Sequence, residues 1–201
     1  MDNSNCLDFS NLTVENQPFP HFSSASTLLN GIVSDLFQWF EQTEEWSLTQ
    51  TDFYEQYEFS FLNVELPENL QCLISKKSIA KIEEKFKEVF NINSFELVGV
   101  TAHKLVHGQR IGIHNDFINE EETHRLVIHI NPNWKEENGG FLILFSTSKA
   151  EDISKVVHPI NNLAFGFEIS NHSHHAVSKI YEYSRYTIVY TFKKKVENGF
   201  N

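Results

Sequence analysis

Arg185-Tyr186-Thr187-Ile188-Val189-Tyr190-Thr191-Phe192 is the stretch from which the fold is read. Side chains of a strand alternate between its two faces. Tyr186, Ile188, Tyr190 and Phe192 therefore share an aromatic and apolar face, and Arg185, Thr187, Val189 and Thr191 share the other. An arginine among apolar strand positions is costly unless something meets its charge. A bound carboxylate would do so, because a guanidinium offers two parallel hydrogen bonds, and Thr187 adds a hydroxyl on the same face. Outward from this strand the period of two continues. From Ser94 the sequence predicts short strands over 95–106, 111–116, 125–131, 141–146, 156–158, 163–168, 174–181 and 185–193, separated by polar breaks. About eight antiparallel strands with turn signals between them describe a jelly roll, or double-stranded β-helix. With support helices before it, the chain reads as mainly β (α+β).

In such a fold, residues distant in sequence meet at one open end, and two of these strands carry metal-ligand chemistry. Gly108-Gln109-Arg110-Ile111-Gly112-Ile113-His114-Asn115-Asp116-Phe117 reads as extended, so His114 and Asp116 are expected to project in parallel while Asn115 points away. By itself His-x-Asp is weak, because the chain has 10 histidines and 27 acidic residues. A second imidazole from the segment 172–175 completes two histidines and one carboxylate. That facial set leaves adjacent positions open on an octahedral ion, as non-haem Fe(II) oxygenases require, whereas a structural zinc site is closed by four ligands. His174 and His175 point to opposite faces of one strand, so only one of them can face the metal. His175, ten residues before Arg185 and followed by Val177 and Ile180, is the choice.

These residues resemble the Fe(II)- and 2-oxoglutarate-dependent dioxygenases, nearest the prolyl-hydroxylase-like branch. The resemblance rests on His114-x-Asp116, His175-x-Val177 and Arg185-x-Thr187, with Gly108, Arg125-Leu126 and Gly139-Gly140 in support, and runs from about Leu66 to Phe192. It implies metal ligands His114, Asp116 and His175, co-substrate contacts Arg185 and Thr187, and Fe(II), 2-oxoglutarate and O2 as cofactor and substrates. The expected reaction hydroxylates an unactivated C–H of an amino-acid or peptidyl side chain, proline by resemblance only, and yields succinate and CO2. Related halogenases replace the carboxylate ligand by a small residue, so Asp116 favours hydroxylation. Where relatives carry a tyrosine a few residues before Gly108, this chain has His103, Leu105 and His107; where they carry a strand tyrosine it has His129, read as a packed core histidine. Two other classes remain open: a cupin-like isomerase or hydrolase using the same three ligands, and a non-catalytic jelly-roll module. A 2-oxoglutarate oxygenase acting on another kind of small molecule is the remaining alternative within the family.

Length and composition fit one domain over 1–201, with a helical and extended support region over 1–93 and a jelly-roll core over 94–195. The chain is 40% hydrophobic with 18 Phe, enough for one substantial core. A formal charge of −11 argues against a nucleic-acid partner, since phosphate binding needs a basic surface. Lys193-Lys194-Lys195 and Glu120-Glu121-Glu122 read as solvated ends and loops. Only Cys6 and Cys72 occur, the amino terminus lacks a signal-peptide pattern, and no run has membrane-span length. A reduced cytoplasmic protein is expected, with an amino-acid or peptide partner and an oligomeric state left open.

Elsewhere, Leu28, Leu29, Ile32, Val33, Leu36, Phe37 and Phe40 predict a helix over 27–41 capped by Ser24 or Ser26. Residues 52–64 predict a strand whose aromatics pack on the core, and 75–90 a second amphipathic helix capped by Ser75 or Ser78. Trp134, in the loop before Gly139-Gly140, reads equally as a lid or as a ring tucked against the sheet. The loop over 117–122 is a second candidate rim.

Overall fold

The computed structural model describes residues 4–29, 31–52, 54–119 and 121–195. Two antiparallel sheets face one another. The eight strands of the core are β5 (Phe95–Leu105), β6 (Ile111–His114), β7 (His124–His129), β8 (Leu142–Phe145), β9 (Ile153–Val157), β10 (Leu163–Glu168), β11 (His175–Val177) and β12 (Arg185–Lys194). Four of them, in the order β10-β7-β12-β5, form the middle of the larger sheet, and β6-β11-β8-β9 form the smaller one. This is the jelly roll expected from the period of two.

The larger sheet has eight strands because the amino-terminal region adds two at each edge. β1 (Leu12–Glu15) and β2 (His21–Ala25) extend it beyond β10, while β3 (Ser47–Gln50) and β4 (Glu55–Ser60) extend it beyond β5. Of these, only the segment containing β4 was legible as a strand. β1 to β3 are short, polar or mixed, and they are strands because neighbouring edges supply their hydrogen-bond partners.

β12 lies at the centre of the sheet, pairs with β5 and β7, and is buried from Arg185 to Phe192. Its aromatic face packs under α1 (Ile32–Gln42) and α2 (Lys76–Phe90): Tyr186 stacks on Phe40 with centroids 5.5 Å apart, and Phe192 meets Phe86 edge-on at 5.3 Å. Phe59 of β4 and Phe61 just after it join Phe40 and Trp39 in the same aromatic cluster, so these two rings pack on the core, whereas Tyr57 is only half-buried. The other face of β12 looks toward the smaller sheet. Between the sheets Leu142, Leu144, Val157, Phe165 and Phe167 form a second, smaller core.

Two boundaries depart from expectation for identifiable reasons. α1 begins at Ile32 behind Gly31 (φ 93°), not at 27, and has no side-chain cap. Ser24 lies in β2 and Ser26 has φ 57°. Residues 27 and 28 bond elsewhere: the Leu28 N–H donates to Asn162 Oδ1, Asn162 Nδ2 donates to the Leu28 carbonyl, and Leu28 bridges to Leu7. α2 begins as expected at Ser75, whose hydroxyl accepts from the Ser78 N–H at 3.1 Å. Residues 68–74 form a separate 3-10 segment before it.

Candidate functional site

β6 and β11 are adjacent and antiparallel in the smaller sheet, and His114 and His175 are direct partners across them. Their rings lie with centroids 4.2 Å apart. Each Nδ1 is 2.8–2.9 Å from the carbonyl of the residue two positions earlier, Gly112 for His114 and Ser173 for His175. A carbonyl accepts only, so Nδ1 carries the hydrogen and each Nε2 presents its lone pair, the form that binds metal.

Asp116 reaches the same point by a route that strand phase did not foresee. β6 ends at His114, and Asp116 sits at φ 62°, in the left-handed region that Asp tolerates better than most residues. The turn, not strand alternation, swings the carboxylate back, so Oδ1 lies 3.3 Å from His114 Nε2 and Oδ2 lies 3.3 Å from His175 Nε2. One ligand atom from each of the three residues falls within 4.8 Å of the others. The Ser173 hydroxyl donates to the Asn115 carbonyl at 2.9 Å, which ties the two ligand-bearing segments together.

Sequence reasoning overlooked what Arg125 does here. Its Nη1 is 2.7 Å from Asp116 Oδ2, and its Nη2 is held by Glu122 at 2.6 Å. Burial alone would raise the Asp116 carboxyl, but the Arg125 guanidinium opposes it and the group is held well below the usual carboxylate range. Among the described residues no hydrogen-bond donor is aligned on Asp116 Oδ2 despite the ion pair. A buried, ionised carboxylate beside two imidazole lone pairs is a donor set that fits a divalent cation. Arg125 shares the face of β7 with Val127 and His129, a phase readable from the sequence.

The triad stands between two hollows. Inward, a narrow cavity of about 70 Å³ is lined by His114, Asp116, Arg125, His175, Arg185 and apolar side chains including Val127 and Val189. Outward, a wider one of about 380 Å³ is lined by Asn115, Phe117, Ile118, Glu122, Ser148 and His174 together with His114, Asp116 and Arg125. His174 thus opens onto the outer hollow. Phe117 and Ile118 are 39% and 65% exposed on its rim. A larger hollow, about 510 Å³, lies between Phe37, Glu41, His107 and Tyr186 and contains none of the triad.

Arg185 is 5% exposed, and its Nε has no partner among the described residues. Burial lowers it to about 10, the mark of a cation without a counter-charge. The Gly139-Gly140 pair makes room for it: a Cβ on Gly140 (φ 74°) would lie 2.9 Å from Arg185 Cδ and 2.7 Å from Ile180 Cδ1. Thr187 is buried beside it and pairs with His103 on β5 and His129 on β7. His103 lies 3.8 Å from Glu58, and burial lowers it to about 4. A buried guanidinium seeking an anion, at the end of a cavity that begins at a metal-ligand set, fits a ligand that chelates at one end and carries a carboxylate at the other. Trp134 is tucked against the sheet: its Nε1 donates to the Gly139 carbonyl at 2.8 Å and its ring meets Phe141 at 5.5 Å.

Fold and site together define a class, the jelly-roll proteins with a two-histidine, one-carboxylate metal-ligand set. Residues 100–193 match the model of the 2OG-Fe(II) oxygenase superfamily, a segment running from β5 to β12. This segment is therefore similar to the core of the 2-oxoglutarate-dependent dioxygenases, a similarity that implies Fe(II), 2-oxoglutarate and O2. Among solved structures, a prolyl-4-hydroxylase from Pseudomonas putida is 16% identical with a TM-score of 0.69, covering 88% of this chain and 93% of that one. A Trichoplax adhaerens prolyl hydroxylase, in complex with a hypoxia inducible factor oxygen degradation domain peptide fragment, is 15% identical (TM-score 0.65; 92% and 84% covered). A viral collagen prolyl hydroxylase from Paramecium Bursaria Chlorella virus-1, in a 2OG complex, is 12% identical (TM-score 0.62; 87% and 96% covered). Comparison with curated protein sequences gives no match. No helix among the described residues is long and apolar enough to cross a membrane.

Proposed function

We propose that the protein hydroxylates an unactivated C–H of an amino-acid or peptidyl side chain, with His114, Asp116 and His175 holding Fe(II) and Arg185 and Thr187 gripping the far carboxylate of 2-oxoglutarate. The observation that carries the reading is the pairing of two features in one cavity: an oriented His, Asp, His set at its mouth and an uncompensated buried arginine within it. When bound, Fe(II) would couple the reduction of O2 to the oxidative decarboxylation of 2-oxoglutarate, one oxygen atom going to the substrate C–H and the other to succinate, with CO2 released.

The chain's own residues position and exclude. Gly112 and Ser173 carbonyls keep both imidazoles in the ligating tautomer, and Arg125 keeps Asp116 ionised. Val127, Val177 and Val189 line the inner cavity with apolar surface, which shields its charges from water. The substrate approaches from the outer hollow, where Phe117 and Ile118 offer apolar contact and Glu122 lies beside Arg125. A peptide fits this open rim, and the Trichoplax relative is itself bound to a peptide fragment; proline is the side chain the similar enzymes suggest.

We read the chain as one domain, since β1–β4 of the amino-terminal region complete the same sheet that carries Arg185. A reduced cytoplasmic setting suits the free, buried Cys6 and Cys72 and an Fe(II) site. Anaerobic addition of Fe(II) and 2-oxoglutarate is expected to produce the weak visible charge-transfer band of the chelate. Its absence with folded protein would sink the proposal. Arg185→Leu is expected to weaken 2-oxoglutarate binding while the band still forms at high concentration.

A further inference from the structure

The hollow of about 510 Å³ between α1, the turn after β5 and the turn before β12 has no part in the metal site, yet its lining is of one kind. Its size is that of a small-molecule pocket. Phe37 and Tyr183 supply aromatic surface, and Glu41 and Glu182 supply two exposed carboxylates. Among the described residues no lysine or arginine lines it. His107 brings no positive charge either, because its Nδ1 accepts from the Glu182 N–H at 3.0 Å and so carries no proton. Lys104 places its ammonium over the Trp46 and Tyr186 rings, 5.6 and 5.4 Å from their centroids, outside the lining.

Glu41 is badly placed by itself. It stands in the last turn of α1, where the negative end of the helix dipole repels an acid, and that turn has no basic residue. Among the described residues it has no ion-pair partner; what it accepts is the Tyr186 hydroxyl. Burial, and then Glu41, push the Tyr183 hydroxyl up to about 12 and the Tyr186 hydroxyl up as well, so both phenols stay neutral. The hollow thus combines two carboxylates, a negative helix end and aromatic rings, each of which favours a cation. The walls decide which cation. Among the described residues no group of three or more His, Cys, Asp or Glu ligands lies here, as it does at the triad. Phe37, Val106 and Tyr183 offer nothing to a hydrated metal ion, whereas they match the methylene stem of an amine.

We infer that this hollow is a second binding site, for an alkylammonium ion: a primary amine on an aliphatic stem, its charge met by Glu41 and Glu182 and its methylenes by Phe37 and Tyr183. The site is independent of the proposed 2-oxoglutarate reading, since none of these side chains lines the cavity of the triad.

The test is calorimetric titration of the full chain with cadaverine and with N-acetyl-lysine methylamide, 1,5-pentanediol being the uncharged counterpart of cadaverine. One saturable site for an amine is expected, with 1,5-pentanediol at least about tenfold weaker. Glu41→Gln, which keeps an acceptor for the Tyr186 hydroxyl, and Glu182→Gln should each weaken the amine about three- to fivefold, the upper size for an exposed ion pair. Phe37→Leu should weaken it by a similar factor. Both glutamates are exposed, so their replacement leaves the core intact, and both variants should bind 2-oxoglutarate as the wild type does. Binding of the lysine surrogate assigns the site to a basic side chain, and binding of cadaverine alone assigns it to a free amine. No saturable binding of either amine overturns the inference. So does equal binding of 1,5-pentanediol, or amine affinity that survives Glu41→Gln and Glu182→Gln together. Failure of the wild-type protein to bind 2-oxoglutarate would count against the proposed function and leave this site standing.

Discussion

Asp116 draws its ionisation from Arg125, and Arg125 draws its orientation from Glu122. Removing the guanidinium leaves a buried carboxylate without its strongest counter-charge, so the side chain is freer to turn and to protonate. Arg125→Leu is expected to weaken metal binding by about 10–100-fold, the usual effect of losing a group that orients a ligand. Titration with Zn(II) or anaerobic Fe(II) measures this, and unchanged affinity would remove Arg125 from the site. His114, Asp116, His175, Arg185 and Thr187 were each picked out in the sequence by residue type at fixed spacing, and the structure brings His114, Asp116, His175 and Arg185 around one cavity. Arg125 was legible only as the residue opening a strand. Its function depends on a contact between β7 and the turn after β6, which no local spacing records.

Among the elements, the turn before β8 and the strand β12 are interlocked. Gly140 lacks a side chain where Arg185 passes, and it adopts a φ of 74° that other residues reach with strain. Gly140→Ala is expected to destabilise the fold by about 1–3 kcal/mol and to weaken 2-oxoglutarate binding further, by displacing Arg185. Urea unfolding and co-substrate titration separate the two effects; a variant that lost stability with unaltered binding would show that Arg185 does not depend on this gap. Strand positions were readable from the period of two, and β10 and β12 lie close to where it put them. Boundaries moved where another element claimed the backbone, as at residues 27 and 28, which serve Leu7 and Asn162 instead of starting α1. Asp116 is the informative case. It was placed beside His114 and His175 through strand parity, whereas a left-handed turn delivers it.

For the molecule as a whole, several buried histidines make the fold sensitive to acid. His124, ringed by phenylalanines, is lowered to about 3, with burial the main cause and Lys194 adding to it. Its ordinary value is 6.5. Below that pH the unfolded chain takes up a proton that the folded chain refuses, so stability falls as pH drops from 6.5 toward 3, by at most about 1.4 kcal/mol per pH unit. His103, lowered to about 4, acts in the same direction. His124→Phe should therefore lose less stability than wild type between pH 7 and pH 5, by about 2 kcal/mol at most. Unfolding curves at the two pH values provide the comparison, and an equally steep decline in the variant would exclude His124 as a contributor.

By itself the sequence determined the jelly-roll core, the three metal-ligand candidates and the arginine strand, because alternation and ligand chemistry are written locally. Tertiary structure alone decided that β1–β3 are strands, that Trp134 is tucked against the sheet and that Arg125 restrains Asp116. Those outcomes depend on which backbone edge, ring or charge arrives from a distant part of the chain, and the closing of two sheets over one another is what brings them together.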